Sequence, residues 1–65
     1  MIKFEYKVVE VKPKSMWASE IALEIIEQKI NEMGSEGWDL VSALPKETTG
    51  MIIGIIFIFK RPAIF

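Results

Sequence analysis

The stretch Met51-Ile52-Ile53-Gly54-Ile55-Ile56-Phe57-Ile58-Phe59 decides how this chain folds. Its β-branched and aromatic residues favour a strand, and apolar side chains occupy both sets of alternating positions along it. A strand that is apolar on both faces belongs in the middle of a sheet that is covered on both sides. At nine residues the stretch is about half as long as the ~20 residues that a helix needs to cross a bilayer, so no membrane span is expected.

Two shorter segments are predicted to flank this central strand. Residues 2–11 alternate apolar and charged side chains, as in a strand buried on one face. The phase changes near Val8 and Val9, which suggests a β-bulge or a change of inter-strand register. Residues 38–44 form a second predicted strand. The polar residues 45–50 then predict the exposed loop of a longer hairpin.

A helix is predicted over residues 19–33, where the apolar period changes to that of an α-helix. Ser19 is the expected N-cap, and Gly34 is the expected C-terminal stop. Lys60-Arg61-Pro62 is expected to end the third strand. The helix residues expected to face the core are Ala22, Leu23, Ile26, Ile30 and Met33.

These elements predict an α+β fold in which residues 1–65 form a single β-α-β-β domain. The hairpin pairs strands two and three antiparallel, and the helix connects strand one to strand two. The predicted sheet therefore has the order 1-3-2, with strand three central and the helix packed on one face. Gly54 would allow the helix or a partner's backbone to approach the central strand closely.

The second face of the sheet predicts self-association, because one helix can cover one face only. A domain of 65 residues without cysteine has few other means of gaining stability. A homodimer or a higher symmetric oligomer is therefore expected. Ile21 and Ile25 lie outside the predicted core stripe of the helix. The residues expected to contact another chain are Ile21, Ile25, Ile53, Ile55, Phe57 and Phe59.

The composition excludes several kinds of chemistry. The chain contains no cysteine and no histidine, which removes disulfide scaffolds, the usual zinc ligands and thiol or imidazole catalysis. We therefore expect a non-catalytic protein without a cofactor or a metal site. The charged residues near the N-terminus are unlike a secretory signal, which makes a cytoplasmic location the expectation.

Three sequence blocks together resemble one family. They are Phe4-Glu5-Tyr6-Lys7-Val8-Val9, Gly34-Ser35-Glu36-Gly37-Trp38-Asp39-Leu40-Val41-Ser42 and Ile56-Phe57-Ile58-Phe59-Lys60-Arg61-Pro62. In this order they are similar to the short bacterial, archaeal and phage family known as domain of unknown function 4177. Asp39 stands where that family commonly shows Glu, and the third strand is more apolar. The resemblance implies a single β-α-β-β domain and assigns no activity.

Four residues are candidates for contact with a ligand or a partner, namely Trp17, Trp38, Lys60 and Arg61. Either tryptophan would offer a stacking surface to a planar ligand, and the cations would attract an anion. In the structural alternative, Trp38 closes the core beside Gly37, Trp17 packs on the start of the helix, and the cations protect strand ends from aggregation. Nucleic acid is not expected as a partner, because the chain is slightly acidic, with a net charge of −1.

Two functions remain open at this point. The first is a small homo-oligomeric interaction domain, whose partners are itself and a further protein. The second is a protein that binds or sequesters a nucleotide-like ligand between subunits, a function that would also suit a phage-encoded protein.

Overall fold

The computed structural model describes residues 2–13 and 21–63. Over these residues the elements are β1 (Lys3–Val11), α1 (Leu23–Ser35), β2 (Asp39–Thr48) and β3 (Met51–Ala63). The strands form one sheet in the order β1-β3-β2, and both neighbours pair antiparallel with β3. This arrangement confirms the α+β fold, with the third strand central and a helix packed on the sheet. No helix of the described ranges is long and apolar enough to span a membrane.

The central strand is longer than predicted. It continues through Lys60, Arg61 and Pro62 to Ala63, so the expected stop at these residues is wrong. The reason lies in β1, which runs alongside and pairs residue by residue up to Lys3 opposite Ala63. A proline removes one backbone donor, and here it falls near the end of the ladder.

The hairpin between β2 and β3 is tighter than predicted. β2 extends to Thr48 and includes Pro45, which an edge strand tolerates because it needs ladder hydrogen bonds on one side only. The turn consists of Thr49 and Gly50, with φ of 48° and 79°. Two successive positive φ angles define the type I′ geometry that matches the twist of paired strands. The loop predicted over residues 45–50 is therefore wrong, although these residues are exposed as predicted.

The predicted bulge in the first strand is absent. β1 pairs continuously with β3, from Lys3 opposite Ala63 to Val11 opposite Ile55. The change of phase in the sequence has another cause: Val9 and Val11 face the core, whereas Val8 lies on the opposite face and is 66% exposed. An apolar residue on the exposed face imitates a shift of register.

The helix begins later than predicted. Its N-cap is Ala22, which makes no side-chain capping hydrogen bond, and the expected cap Ser19 lies outside the described residues. Ala22 is exposed and Leu23 is 78% exposed, so their predicted place in the core is wrong. Ile21 packs against the core from the segment just before the helix.

The core lies between the helix and one face of the sheet. Ile26 and Ile30 pack against it, as the helical period predicts. Phe57 and Phe59 are neighbours on the same face of β3, and their ring centroids are 6.2 Å apart. The most deeply buried apolar residues of the described ranges are Val11, Met33, Phe57 and Phe59.

Gly37, and not Gly34, ends the helix. The helix includes Gly34 and stops at Ser35, whereas Gly37 adopts a φ of 88°. The amide of Trp38 donates to the carbonyl of Met33 at 3.1 Å, and the amide of Gly37 donates to that of Gly34 at 3.0 Å. These two bonds make a Schellman motif, in which the residue after the glycine packs against the last helical turn. Trp38 accordingly packs against the core that contains Met33.

The two glycines of this motif should respond to alanine in opposite directions. We expect Gly37→Ala to lower the free energy of unfolding by about 1 to 2 kcal/mol, because an L-residue resists positive φ. We expect Gly34→Ala to raise it by up to about 1 kcal/mol, because Gly34 is helical and a Cβ there meets nothing within 4 Å.

Urea denaturation of both variants at one protein concentration provides the comparison. Equal effects of the two substitutions would contradict the assignment of Gly37 as the helix stop.

Candidate functional site

Over residues 2–13 and 21–63, the sheet has one face that the helix covers and one open face. In an antiparallel pair, directly opposite residues share a face, and faces alternate along each strand. Phe57 and Phe59 therefore mark the helix-covered face, together with Val9 and Leu40. We call the opposite side the open face. It includes Phe4, Tyr6, Val8, Glu10, Asp39, Ser42, Leu44, Lys46, Gly54, Ile56, Ile58, Lys60 and Pro62.

The centre of the open face is apolar. Val8 lies opposite Ile58, and Leu44 lies opposite Ile56, so these side chains form a continuous patch across all three strands. Tyr6, Val8 and Leu44 are 64%, 66% and 48% exposed. A patch of this kind on a small protein typically marks an interaction surface.

Charged residues border the apolar centre at both ends. At one end Glu10 of β1 pairs with Lys46 of β2, with the carboxylate and ammonium 3.6 Å apart. At the other end Asp39 lies opposite Lys60, whose ammonium sits 4.8 Å from the centre of the Phe4 ring. Each end therefore carries one acid and one base, and the opposite charges at each end offset each other.

Gly54 allows the ion pair at the first end to form. Glu10 and Lys46 belong to the two outer strands, and Gly54 of β3 lies between them, directly opposite Lys46. A Cβ on Gly54 would come within 2.8 Å of a carboxylate oxygen of Glu10. The close approach expected at this glycine is thus made by a side chain of the neighbouring strand, not by the helix.

The residues predicted to contact another chain fall in three environments. Phe57 and Phe59 are 2% and 0% exposed beneath the helix, which contradicts their predicted role. Ile21 and Ile55 are partly buried against the same core. Ile25 and Ile53 are 38% and 37% exposed and stay available for contact.

The sequence interpretation assigned the contact surface to the face of the sheet that the helix covers. It treated the face with the two phenylalanines as free, whereas the helix covers that face. The open-face residues Tyr6, Val8 and Leu44 were missed. A signal existed in the first strand, where Phe4, Tyr6 and Val8 occupy the face opposite Val9 and Val11.

Arg61 joins three parts of the chain on the helix side of the sheet. Its Nε donates to a carboxylate oxygen of Glu5 at 2.5 Å, and its Nη1 donates to the backbone carbonyl of Glu36 at 2.9 Å. The guanidinium lies 4.1 Å from the centre of the Trp38 ring. The ammonium of Lys7 approaches the same ring at 5.7 Å. We call Glu5, Lys7, Glu36, Trp38 and Arg61 the Arg61 cluster.

The Arg61 cluster holds the end of the helix on the sheet. Glu36 is the C-cap of α1, and the last turn of this helix has no basic residue of its own. Arg61 therefore supplies, from β3, the cation that favours the negative end of a helix. Trp38 is half-buried between the core and these cations, in agreement with the structural interpretation of this residue.

The four residues named for ligand contact do not form one site. Trp38 and Arg61 meet, but they are already occupied with each other and with Glu5 and Glu36. Lys60 lies on the open face, because neighbouring residues of a strand point to opposite sides. Trp17 lies outside the described residues.

Removing the guanidinium should loosen the junction of helix and sheet. We expect Arg61→Gln to lower the free energy of unfolding by about 1 to 2 kcal/mol, because it removes a partly exposed ion pair, a ring contact and a hydrogen bond. Lys60→Gln is the matched control on the other face, and we expect it to lower that free energy by less than about 1 kcal/mol. Denaturant unfolding compares the two, and an equal or larger loss for Lys60→Gln would contradict the proposed role of Arg61.

Comparison with known proteins bears on the whole of this arrangement. A family model described as Domain of unknown function (DUF4177) matches residues 4–62. Neither the curated proteins nor the solved structures gave a significant match. The matched range contains every residue of the Arg61 cluster and of the open face. The chain therefore belongs to the DUF4177 family.

Proposed function

We propose that this protein is a small, non-catalytic self-associating interaction domain whose open face binds a second copy of the chain. The observation that carries the proposal is the exposed apolar centre of the open face. Tyr6, Val8 and Leu44 are each about half exposed or more, beside the partly buried Ile56 and Ile58 of the central strand.

The limited core supports a need for further burial. The deeply buried apolar residues of the described ranges all lie on the helix side, and the helix contributes Met33 alone to that set. Small domains bury a low fraction of their surface, and those without disulfides or metals commonly gain stability by oligomerisation. A copy placed on the open face would turn Ile56 and Ile58 into core residues.

The charge pattern of the open face favours a second copy as its occupant. A two-fold axis sets one patch against the same patch, so the patch must be complementary to itself. Glu10 and Lys46 neutralise one end, and Asp39 lies opposite Lys60 at the other. Two copies can pack with like ends of the patch together or with opposite ends together. In either case a charged pair, and not a single charge, faces the charged pair of the other copy. The apolar centre and charged border also follow the usual anatomy of protein interfaces.

A charge placed in the apolar centre should dissociate the proposed assembly. Leu44→Lys introduces a cation on the outer strand β2, at a position that is 48% exposed and therefore tolerant within one chain. We expect a dissociation constant raised about 100-fold or more, because a symmetric contact contains the substitution twice and each loses the burial of a leucine. Native mass spectrometry and light scattering over a concentration series provide the measurement.

Leu23→Lys is the matched control for this experiment. Leu23 is 78% exposed on the helix, away from the open face, so its substitution should leave the mass of the assembly unchanged. Circular dichroism checks that both variants are folded. A monomeric parent chain at micromolar concentration, or a Leu44→Lys variant with the parent's mass, would overturn the proposed function.

A further inference from the structure

We propose that the outer edge of β1 is a second self-association site, at which two copies pair β1 with β1 antiparallel and centred on Tyr6. The site consists of backbone groups along one edge of the sheet. It is separate from the open-face contact, although the number of chains in the full assembly rests on both.

The two edges of the sheet differ in their capacity to pair. β1 forms one uninterrupted ladder with β3, and its nine residues include no proline. β2 contains Pro45 and has register shifts between Leu40 and Ser42 and between Lys46 and Glu47. Proline and bulges obstruct the addition of a strand, so β2 is a protected edge. Among the described strands, β1 is the edge suited to accept another strand.

Symmetry restricts the ways in which β1 can pair with itself. A two-fold axis through an antiparallel pair stands perpendicular to the sheet and keeps each face on its own side. Residues that lie opposite each other must then share a face, so their numbers differ by an even number. The axis therefore passes between the two copies of one residue, on which the register is centred. The central positions of the strand allow four such registers, centred on Glu5, Tyr6, Lys7 or Val8.

Charge selects one of the four registers. Centring on Tyr6 sets Glu5 opposite the partner's Lys7, and Lys7 opposite the partner's Glu5, on the helix side of the sheet. It also sets Phe4 opposite the partner's Val8 on the open face, where both residues are exposed. Opposite charges and apolar pairs at directly facing positions stabilise a ladder.

The other registers lack this complementarity. Centring on Glu5 sets that carboxylate against its own copy and Lys3 against Lys7. Centring on Lys7 sets two ammonium groups against each other. Centring on Val8 sets Glu5 and Lys7 against valines, so that no charge is matched. Like charges at facing positions are destabilising. Of the four registers, only the one centred on Tyr6 sets opposite charges against each other, although it also leaves Lys3 opposite Val9.

The proposed pairing extends the sheet from three strands to six. Because the axis is perpendicular to the sheet, the open faces of both copies lie on the same side and form one larger apolar surface. Two such six-stranded sheets in contact through this surface would make a tetramer of four 7.4 kDa chains.

A single cysteine tests the central residue of this register. The natural chain contains no cysteine, so Tyr6→Cys creates one thiol at the proposed two-fold axis. Facing Cα atoms in antiparallel strands lie about 4.5 to 5.5 Å apart, within the range that a disulfide requires. Mild oxidation should therefore join two chains into a covalent dimer, measured by denaturing mass spectrometry.

Val8→Cys is the matched control, because Val8 lies on the same strand and face and has nearly the same exposure, 66% against 64% for Tyr6. In the proposed register the two copies of residue 8 are displaced by four residues along the strands, about 13 Å. We expect about tenfold or more covalent dimer from Tyr6→Cys than from Val8→Cys. The open-face contact would not produce this difference, because stacked sheets lie about 10 Å apart.

A mixture of two variants provides a second test that spares Tyr6. Phe4→Cys and Val8→Cys should each cross-link weakly alone and form a mixed disulfide together, recognisable by its mass. Equal cross-linking of Tyr6→Cys and Val8→Cys would overturn the register. Absence of both the Tyr6→Cys dimer and the mixed disulfide in folded protein would overturn β1 pairing.

The same variants separate this proposal from the open-face contact. Tyr6→Cys combined with Leu44→Lys should still cross-link, since β2 lies at the other edge of the sheet. If Tyr6→Cys cross-links and Leu44→Lys leaves the mass of the assembly unchanged, pairing at the β1 edge would be retained and the open-face contact rejected. If Tyr6→Cys does not cross-link and Leu44→Lys lowers the mass of the assembly, the open-face contact would be retained and pairing at the β1 edge rejected.

Discussion

The position of β3 between two antiparallel neighbours is the constraint on which the rest of the structure depends. Both outer strands pair with it, and its apolar side chains point to both faces of the sheet. The 13-residue helix α1 covers one of these sides, where Phe57 and Phe59 lie at the centre of the core. Ile56 and Ile58 of the same strand point to the open face, which the helix does not cover. Because β3 is apolar on both faces and α1 covers only one of them, an apolar surface stays exposed, and we interpret this surface as functional.

The two faces use charge in different ways. On the helix side, Arg61 connects Glu5, Trp38 and the C-cap carbonyl of Glu36, which secures the end of the helix to two strands. On the open side, Glu10 and Lys46 meet above Gly54 and neutralise each other at the border of the apolar centre. Charges therefore stabilise the packing of helix on sheet on one face and offset each other at the border of the other. An apolar surface whose bordering charges are paired suits a protein partner better than a small charged ligand.

Local sequence patterns were informative where one interaction dominates, and misleading where neighbouring strands compete. The helix was recognised from its period, but Leu23 was expected in the core because a helical wheel does not show where the sheet ends beneath the helix. The strands were located correctly, but their ends were not, because the ladder with β1 carries β3 past Lys60 and Pro62. A two-residue turn replaced the expected loop, since Thr49 accepts positive φ next to Gly50.

The sequence by itself determined the order of the elements, the central place of β3 and the excess of apolar side chains over what one helix can cover. These properties follow from residue types and their spacing, which act over a few neighbouring residues. Only the tertiary structure decided which face the helix covers. That choice depends on how Met33, Val11 and the two phenylalanines pack together across long distances in the sequence. It moved the candidate contact surface from Phe57 and Phe59 to the opposite face, because packing selects between two apolar faces that the sequence pattern leaves equivalent.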